Sequence, residues 1–308
     1  MHYLVTGGCG FIGSHLIELL LKNGHSVTVI DNLSTGKREN IPASLKLIVA
    51  DITTSEVFDT IISSIDGCFH LAAIVSVQQS TEAWLKTHQA NQGGTVALFD
   101  ALVRHKRKIP VVYASSAAIY GDCPDIPLAE NAPCTPLSAY GVDKLACEWQ
   151  ARIASQLHGI PTIGLRFFNV YGPRQDPASP YSGVISIFSS RMKRNLPVTI
   201  YGDGEQTRDF IYAGDIACGL FLSMQTLESK KRNYGVYNLC TGIQTSINTL
   251  ARIIAQITDS SSPASHAVAR AGDIRFSAGN PELGKRELGF TAGISLQNGL
   301  ENTLKALE

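Results

Sequence analysis

The sequence predicts an α/β protein: a Rossmann-type, doubly wound parallel sheet with a smaller mixed α/β domain in its C-terminal part. Three observations predict it. A short apolar run at residues 2–5 opens directly into a glycine-rich turn, Thr6-Gly7-Gly8-Cys9-Gly10-Phe11-Ile12-Gly13. A second apolar run, 26–30, is closed by an acid, Asp31. Apolar runs then alternate with amphipathic stretches through the first half, as in a parallel sheet covered on both faces.

Taken in order, residues 2–5 form the first strand and 11–22 the helix that follows the glycine turn. Glycines spaced as Gly7, Gly10 and Gly13 let the backbone turn tightly, approach a pyrophosphate and bring helix against strand. The first N–H groups of the helix and its positive dipole end then face the phosphates. Asp31, at the end of the 26–30 strand, stands where a carboxylate grips an adenosine ribose and repels a 2′-phosphate, which favours NAD over NADP. Lys37 and Arg38 follow on an exposed loop. Further strands are expected at 45–50, 68–72, 110–115 and 162–167, with helices at 55–64, 84–105 and 138–158 between them. Ligands in such sheets bind beyond the carboxyl ends of the strands. The loops after Thr6, Ile30, Ala72, Ser115 and Phe168 therefore surround one crevice.

The pattern loosens after Val170. Pro, Gly and Ser crowd 172–183, a helix is expected at 184–194, and 259–263 is the most linker-like stretch. The reading is a dinucleotide-binding domain over 1–170, to which 210–240 returns, and a second domain over 171–308 that closes on it.

Composition excludes several classes. The chain has 308 residues, 44% hydrophobic and 17% charged, with a formal net charge of zero, so no electrostatic footprint points to nucleic acid or an anionic membrane. Its one basic cluster, Arg104-His105-Lys106-Arg107-Lys108, falls at a helix end, where cations favour the dipole, and reads as a solvated cap. Seven cysteines lack CxxC spacing or paired histidines, which argues against zinc and against a disulfide framework. A first strand starting at residue 2 leaves no room for a signal peptide, and no apolar run reaches spanning length. A soluble, cytoplasmic protein with reduced thiols is expected.

Tyr140 and Lys144 stand four residues apart, on one face of the 138–158 helix. An ammonium beside a phenol stabilises the phenolate and makes it a usable base. By itself the pair reads equally as a solvated helix face. Its company shifts the balance: the strand at 110–115 delivers Ser115-Ser116 to the same rim as the dinucleotide. A serine hydroxyl there can contact an alcohol being oxidised, although a strand-end turn would use the same residues.

At this point the motifs are recognisable. TGGCGFIGSH, DNLSTG, HLAA, SSAAIYG, PLSAYGVDK and RFFNVYGPRQDP, with YGDGEQTRDFIYAGDIA and RAGDIRFSAGNP further on, resemble the extended short-chain dehydrogenase/reductase family. More narrowly, they resemble its nucleotide-sugar epimerase branch, over nearly the whole chain. The resemblance implies NAD as cofactor, a UDP-sugar as substrate, bound mainly by residues 171–308, and epimerisation at C4 through a 4-keto intermediate. It implies Tyr140 as base, Lys144 as its partner and a donor to the nicotinamide ribose, and Ser116 as second contact to the substrate hydroxyl. Gly7, Gly10, Phe11, Ile12, Gly13, Asp31, Asn32, Asp51, Ile52, Leu71, Ala72, Ala73, Asn91 and Phe167 become cofactor contacts. Asn169, Arg208, Arg270 and Asp273 become contacts to the nucleotide diphosphate or uridine; the two guanidinium groups suit a pyrophosphate. Ser277 falls where the branch walls the sugar pocket, and a small side chain there implies room for an N-acetyl group, hence UDP-GlcNAc and UDP-GalNAc with some UDP-Glc and UDP-Gal activity.

Family dehydratases carry an acid just after the rim serine or threonine. Here Ala117-Ala118 follow, so dehydration loses support. A decarboxylase, an epimerase at another carbon and a non-catalytic NAD-binding protein stay open. The family habit of pairing through the helices near Trp84 and Ser138 implies a homodimer, although the apolar faces of those helices also read as core.

Overall fold

Near-continuous apolar strands demand a sheet buried on both faces, and the computed structural model, describing residues 1–176, 183–269 and 274–307, has one. Strands β1 (His2–Thr6), β2 (Ser26–Asp31), β3 (Lys46–Val49), β4 (Gly67–His70), β5 (Val111–Ser116), β6 (Thr162–Phe167) and β11 (Tyr234–Leu239) form a seven-stranded sheet. Its order is β11-β6-β5-β4-β1-β2-β3, and every pairing is parallel. Strand order reverses between β1 and β4, which opens the crevice at their carboxyl ends.

One face is covered by α1 (Phe11–Lys22) and α8 (Ala213–Glu228). Leu16, Ile17 and Leu20 of α1 are fully buried with Leu220 and Met224 of α8, each side chain contributing about 1.5–3 kcal/mol of burial. The other face is covered by α2 (Glu56–Asp59), α5 (Gly94–Arg104) and α6 (Ala139–His158), with Phe58, Leu98, Leu102 and Ala151 in the core. A separate apolar cluster lies in the later part of the chain. There α7 (Val184–Met192), α9 (Ile247–Thr258) and α11 (Leu296–Lys305) bury Phe188, Leu250, Ile254 and Leu300. Three two-stranded pairs complete it: β7 (Asn169–Tyr171) with β10 (Phe210–Tyr212), β8 (Val198–Tyr201) with β13 (Ala264–Ala267), and β9 (Thr207–Arg208) with β12 (Thr245–Ser246). Helix α10 (Glu282–Leu288) packs on β11.

The α1 and β6 limits match the expected ones; elsewhere the structure corrects them. The helix expected at 55–64 is α-helical only over Glu56–Asp59, and continues as turns in which Thr60 and Ser64 bond carbonyls three residues back. The helix expected at 84–105 is α4 (Trp84–His88), a π-turn (Gln89–Gly93) and then α5. Helix α3 (Val77–Glu82), capped by Ser76 accepting from Gln79 N, had no apolar period to reveal it. Helix α7 stops at Met192, two residues short of the expected end. Four residues of the basic cluster, Arg104, His105, Lys106 and Lys108, are exposed as expected; Arg104 and His105 pair with Asp59, and Arg107 reaches the Ile65 carbonyl. No helix among the described residues is long and apolar enough to cross a membrane.

Candidate active site

The glycine turn leaves β1 at Thr6 and is shaped by close approach. Gly7 has φ +69°, and a Cβ on it would lie 2.8 Å from the backbone of Ala72. A Cβ on Gly13 would lie 2.3 Å from the Gly7 carbonyl oxygen. Gly10 is the N-cap of α1, so the N–H groups of Phe11, Ile12 and Gly13 have no intrahelical acceptor and point out of the turn.

Asp31 lies at the end of β2, 7% exposed, and its carboxylate accepts from Cys9 N at 2.9 Å and Leu33 N at 2.8 Å. Burial raises its pKa, and the two N–H groups oppose that rise. The acid and the glycine turn are thus fixed to each other. Lys37 is exposed, while the Arg38 guanidinium is spent on the carbonyls of Ile41, Pro42 and Ala43. Neither is directed at Asp31 by any of these bonds. Asn32 donates to Asp51 at 3.2 Å, joining the ends of β2 and β3, and Ile52 is buried under Gly94.

Beyond β4, Leu71 N is shared between the Thr6 carbonyl at 3.2 Å and Thr6 Oγ1 at 3.1 Å, and Ala72 N turns onto the hydroxyl at 3.2 Å. This ends the strand two residues earlier than expected and lays Leu71, Ala72 and Ala73 beside the glycine turn. Asn91, 2% exposed in the π-turn, accepts from Ile74 N at 2.8 Å and donates to Ile74 O at 3.0 Å. Its amide therefore clamps the strand exit.

Thr6, His70 and Thr95 support this strand exit and were missed by the motif reading. Thr6 Oγ1 lies 3.0 Å from His70 Nδ1, His70 Nε2 lies 3.3 Å from Thr95 Oγ1, and Thr95 donates to the Asn91 carbonyl at 2.8 Å. Since the Thr95 hydrogen is used on Asn91, His70 donates from Nε2 and accepts at Nδ1, the neutral tautomer. Burial, and then the nearby Lys144 charge, push the His70 imidazole down to about 3. The unfolded imidazole takes up a proton below about 6.5. Stability from this group is therefore present above that pH and lost as pH falls toward about 3. Burial lowers His15 too, with the same sign. Urea midpoints are expected to fall between pH 7 and pH 5, with His70→Gln removing its share, up to about 1 kcal/mol per pH unit. Equal slopes in wild type and variant would show that His70 is not buried neutral.

Tyr140 and Lys144 lie on α6, 8% and 5% exposed, with Lys144 Nζ 5.8 Å from the centroid of the Tyr140 ring. Helix α6 starts there because Ser138 caps it, accepting from Gly141 N at 3.1 Å. Lys144 Nζ donates to the Ala114 carbonyl at 2.9 Å, which ties the pair to β5. Ser115 and Ser116 point to opposite faces of that strand. Ser115 is 1% exposed and directed into the interior at Glu148; Ser116 is half-buried at the rim and accepts from Ala118 N at 3.1 Å. Phe167 ends β6 beside Ser116 in the register.

Across the crevice, Asn169 N donates to Asp209 O, and Arg208 Nη1 donates to the carbonyls of Thr207 and Ile274. Asp209, fully buried, also went unnoticed in the sequence. Its carboxylate gathers Thr241 N and Oγ1, Gly242 N and Gly279 N. Ser277 is half-buried and hangs from Thr207 O by its own N–H at 3.2 Å. The structure thus brings Ser277 and Arg208 to one segment. Arg270 and Asp273 lie outside the described residues. The remaining residues form a cradle that fits NAD: a glycine turn with no room for side chains, outward N–H groups and an acid at the end of β2 tied to that turn, with a Tyr–Lys pair further along the strand ends.

The comparisons with known proteins agree. Residues 3–240 match the NAD dependent epimerase/dehydratase family. A putative UDP-glucose 4-epimerase of Methanocaldococcus jannaschii is 38% identical over 252 residues, covering 82% of this chain and 80% of its own. The crystal structure of UDP-glucose 4-epimerase with UDP-glucose from Thermotoga maritima superposes with TM-score 0.94 at 35% identity, covering 100% of this chain and 98% of that one. A UDP-N-acetylglucosamine 4-epimerase from Methanobrevibacter ruminantium, in complex with UDP-N-acetylmuramic acid, does so with TM-score 0.93 at 36% identity, covering 99% and 97%. Motif, fold and site converge, and the chain belongs to the NAD-dependent epimerase/dehydratase family, an epimerase whose cofactor is NAD.

Proposed function

We propose that this enzyme interconverts the C4 epimers of a UDP-sugar, acting on UDP-GlcNAc and UDP-GalNAc with some activity on UDP-Glc and UDP-Gal. The observation that carries the reaction type is the Tyr140–Lys144 pair, tied to β5 one turn from the rim that presents Ser116. Tyr140 takes the proton of the C4 hydroxyl, with Lys144 stabilising the negative charge and Ser116 holding the same oxygen. Bound NAD supplies the hydride acceptor and donor. Gly7, Gly10, Phe11, Ile12, Gly13, Asp31, Asn32, Asp51, Ile52, Leu71, Ala72, Ala73, Asn91 and Phe167 hold or line the cofactor. Arg208, with Asn169, Arg270 and Asp273, clamps the nucleotide diphosphate, so the 4-keto sugar is free to turn over before Tyr140 returns the proton. Residues 1–170 with 210–240 serve the cofactor and the rest of 171–308 the substrate.

Substrate breadth rests on Ser277, whose small side chain leaves space where a phenol would exclude an acetamido group. Ser277→Tyr is expected to lower kcat/KM for UDP-GlcNAc by on the order of 10²-fold and to spare UDP-Glc. NMR of the equilibrating sugars, without added NADH, reads both. Equal losses on the two sugar types would remove Ser277 from the wall.

The same reading gives a homodimer. Val96 and Val103 on α5 and Val142, Trp149 and Ile153 on α6 form adjacent apolar stripes, 37–63% exposed, on helices that pack together. A second copy of these two helices would cover them as a four-helix interface. Trp149→Glu with Ile153→Glu is expected to convert a dimer into a monomer by light scattering. A monomeric wild type would overturn this assignment.

A further inference from the structure

Behind the rim that carries Ser116, a buried charge pair joins the helix of Tyr140 to three strands. Glu148 lies four residues after Lys144 and eight after Tyr140, so the three side chains share one helix face. Its carboxylate receives Ser115 Oγ at 2.5 Å and the fork of Arg166, Nε at 2.9 Å and Nη2 at 2.8 Å. The other arm of Arg166 donates to the Tyr120 hydroxyl at 2.7 Å and the Glu130 carbonyl at 2.8 Å. Tyr120 donates onward to Asn238 Oδ1 at 2.7 Å. Glu148 is 3% exposed, Arg166 5%, and Tyr120 and Asn238 not at all.

A buried pair of this kind is weak evidence for stability, because desolvation offsets most of its attraction. What a bidentate fork supplies is fixed geometry. Two successive residues of β5 are gripped by two residues of α6 one turn apart: Ala114 O by Lys144 and Ser115 Oγ by Glu148. The next residue on the strand is Ser116, and the preceding turn of the helix holds Tyr140. The short turn after Ser116 (Ala117–Tyr120) ends on the same guanidinium.

We propose that Glu148 and Arg166 are positioning residues for the reaction: they set the axial register of α6 on β5, and so hold Tyr140 and Ser116 at a common distance from the reacting sugar carbon. Neither touches the substrate. The inference rests on the reading of Tyr140 and Ser116 as the groups at the sugar hydroxyl.

The test uses the NAD-loaded full chain and the variants Glu148→Gln, Arg166→Lys and Tyr120→Phe. A misplacement of about 1 Å can cost on the order of 10²-fold, so kcat is expected to fall by that order in the first two and by less in the third. KM, UDP affinity by calorimetry and NAD content are expected to stay at wild-type values. Trimethylamine N-oxide, which strengthens burial, is expected to restore melting temperature without restoring kcat. Recovery of kcat in step with melting temperature would show a purely structural pair and overturn the proposal. Should the charge variants not fold, Tyr120→Phe, which removes one hydroxyl, carries the test by the same split of kcat from KM. Wild-type kcat in the folded variants beside an inactive Tyr140→Phe overturns this proposal alone. A wild type that turns over no UDP-sugar overturns the functional reading and this proposal together.

Discussion

Tyr140→Phe is expected to lower kcat for UDP-sugar epimerisation by about 10³-fold while leaving fold and NAD content intact. The substitution removes one oxygen and keeps the ring, which is 8% exposed with Lys144 Nζ 5.8 Å from its centroid. Burial of the ring therefore changes little. In the proposed reaction the lost atom accepts the proton of the C4 hydroxyl, and without it the alkoxide character needed for hydride departure has no partner. Lys144 keeps its bond to the Ala114 carbonyl, so the helix keeps its anchor on β5. Turnover is read by NMR of the anomeric protons of the two C4 epimers, and NAD by release from denatured protein. An active Tyr140→Phe enzyme would refute the assigned base.

Gly13→Ala is expected to abolish NAD retention and to lower stability by about 2–3 kcal/mol. The added methyl would stand 2.3 Å from the Gly7 oxygen and 2.7 Å from the Gly8 Cα, both backbone atoms of the turn. No rotamer relieves that contact. Helix α1 must shift away from the end of β1, and its first N–H groups move with it, out of line with the pyrophosphate. Leu16, Ile17 and Leu20 are buried on the same helix, so the shift also disturbs the core. Purified variant protein with full NAD occupancy and a wild-type melting temperature would show that the turn does not need this close approach.

Much of this was legible because the signals are local. The glycine turn, the 3.6-residue period of α1 and the apolar β6 run lie within a dozen residues each, and both elements end where the sequence places their ends. The π-turn at Gln89–Gly93 was not legible, since helix periodicity continues through it. Nor was α3, a polar stretch that is helical where Ser76 caps it. Strand β4 ends at His70, where Thr6, sixty-odd residues earlier in the chain, shares the Leu71 N–H between its carbonyl and its hydroxyl and takes the Ala72 N–H on the hydroxyl. No window along the chain contains both partners.

The sequence by itself determined the parallel sheet, the glycine turn between β1 and α1 and the Tyr140–Lys144 spacing, all products of short-range pattern and backbone sterics. Tertiary structure decided what turns Ser115 inward and leaves Ser116 at the rim. Successive strand residues face opposite ways, and which face is interior depends on Glu148 arriving from a helix 33 residues later. It likewise decided that Asp31 is locked to Cys9 N, and that Arg166 reaches Tyr120 across 46 residues. These are contacts between charged or polar groups that become strong only when burial brings them together and removes the water between them.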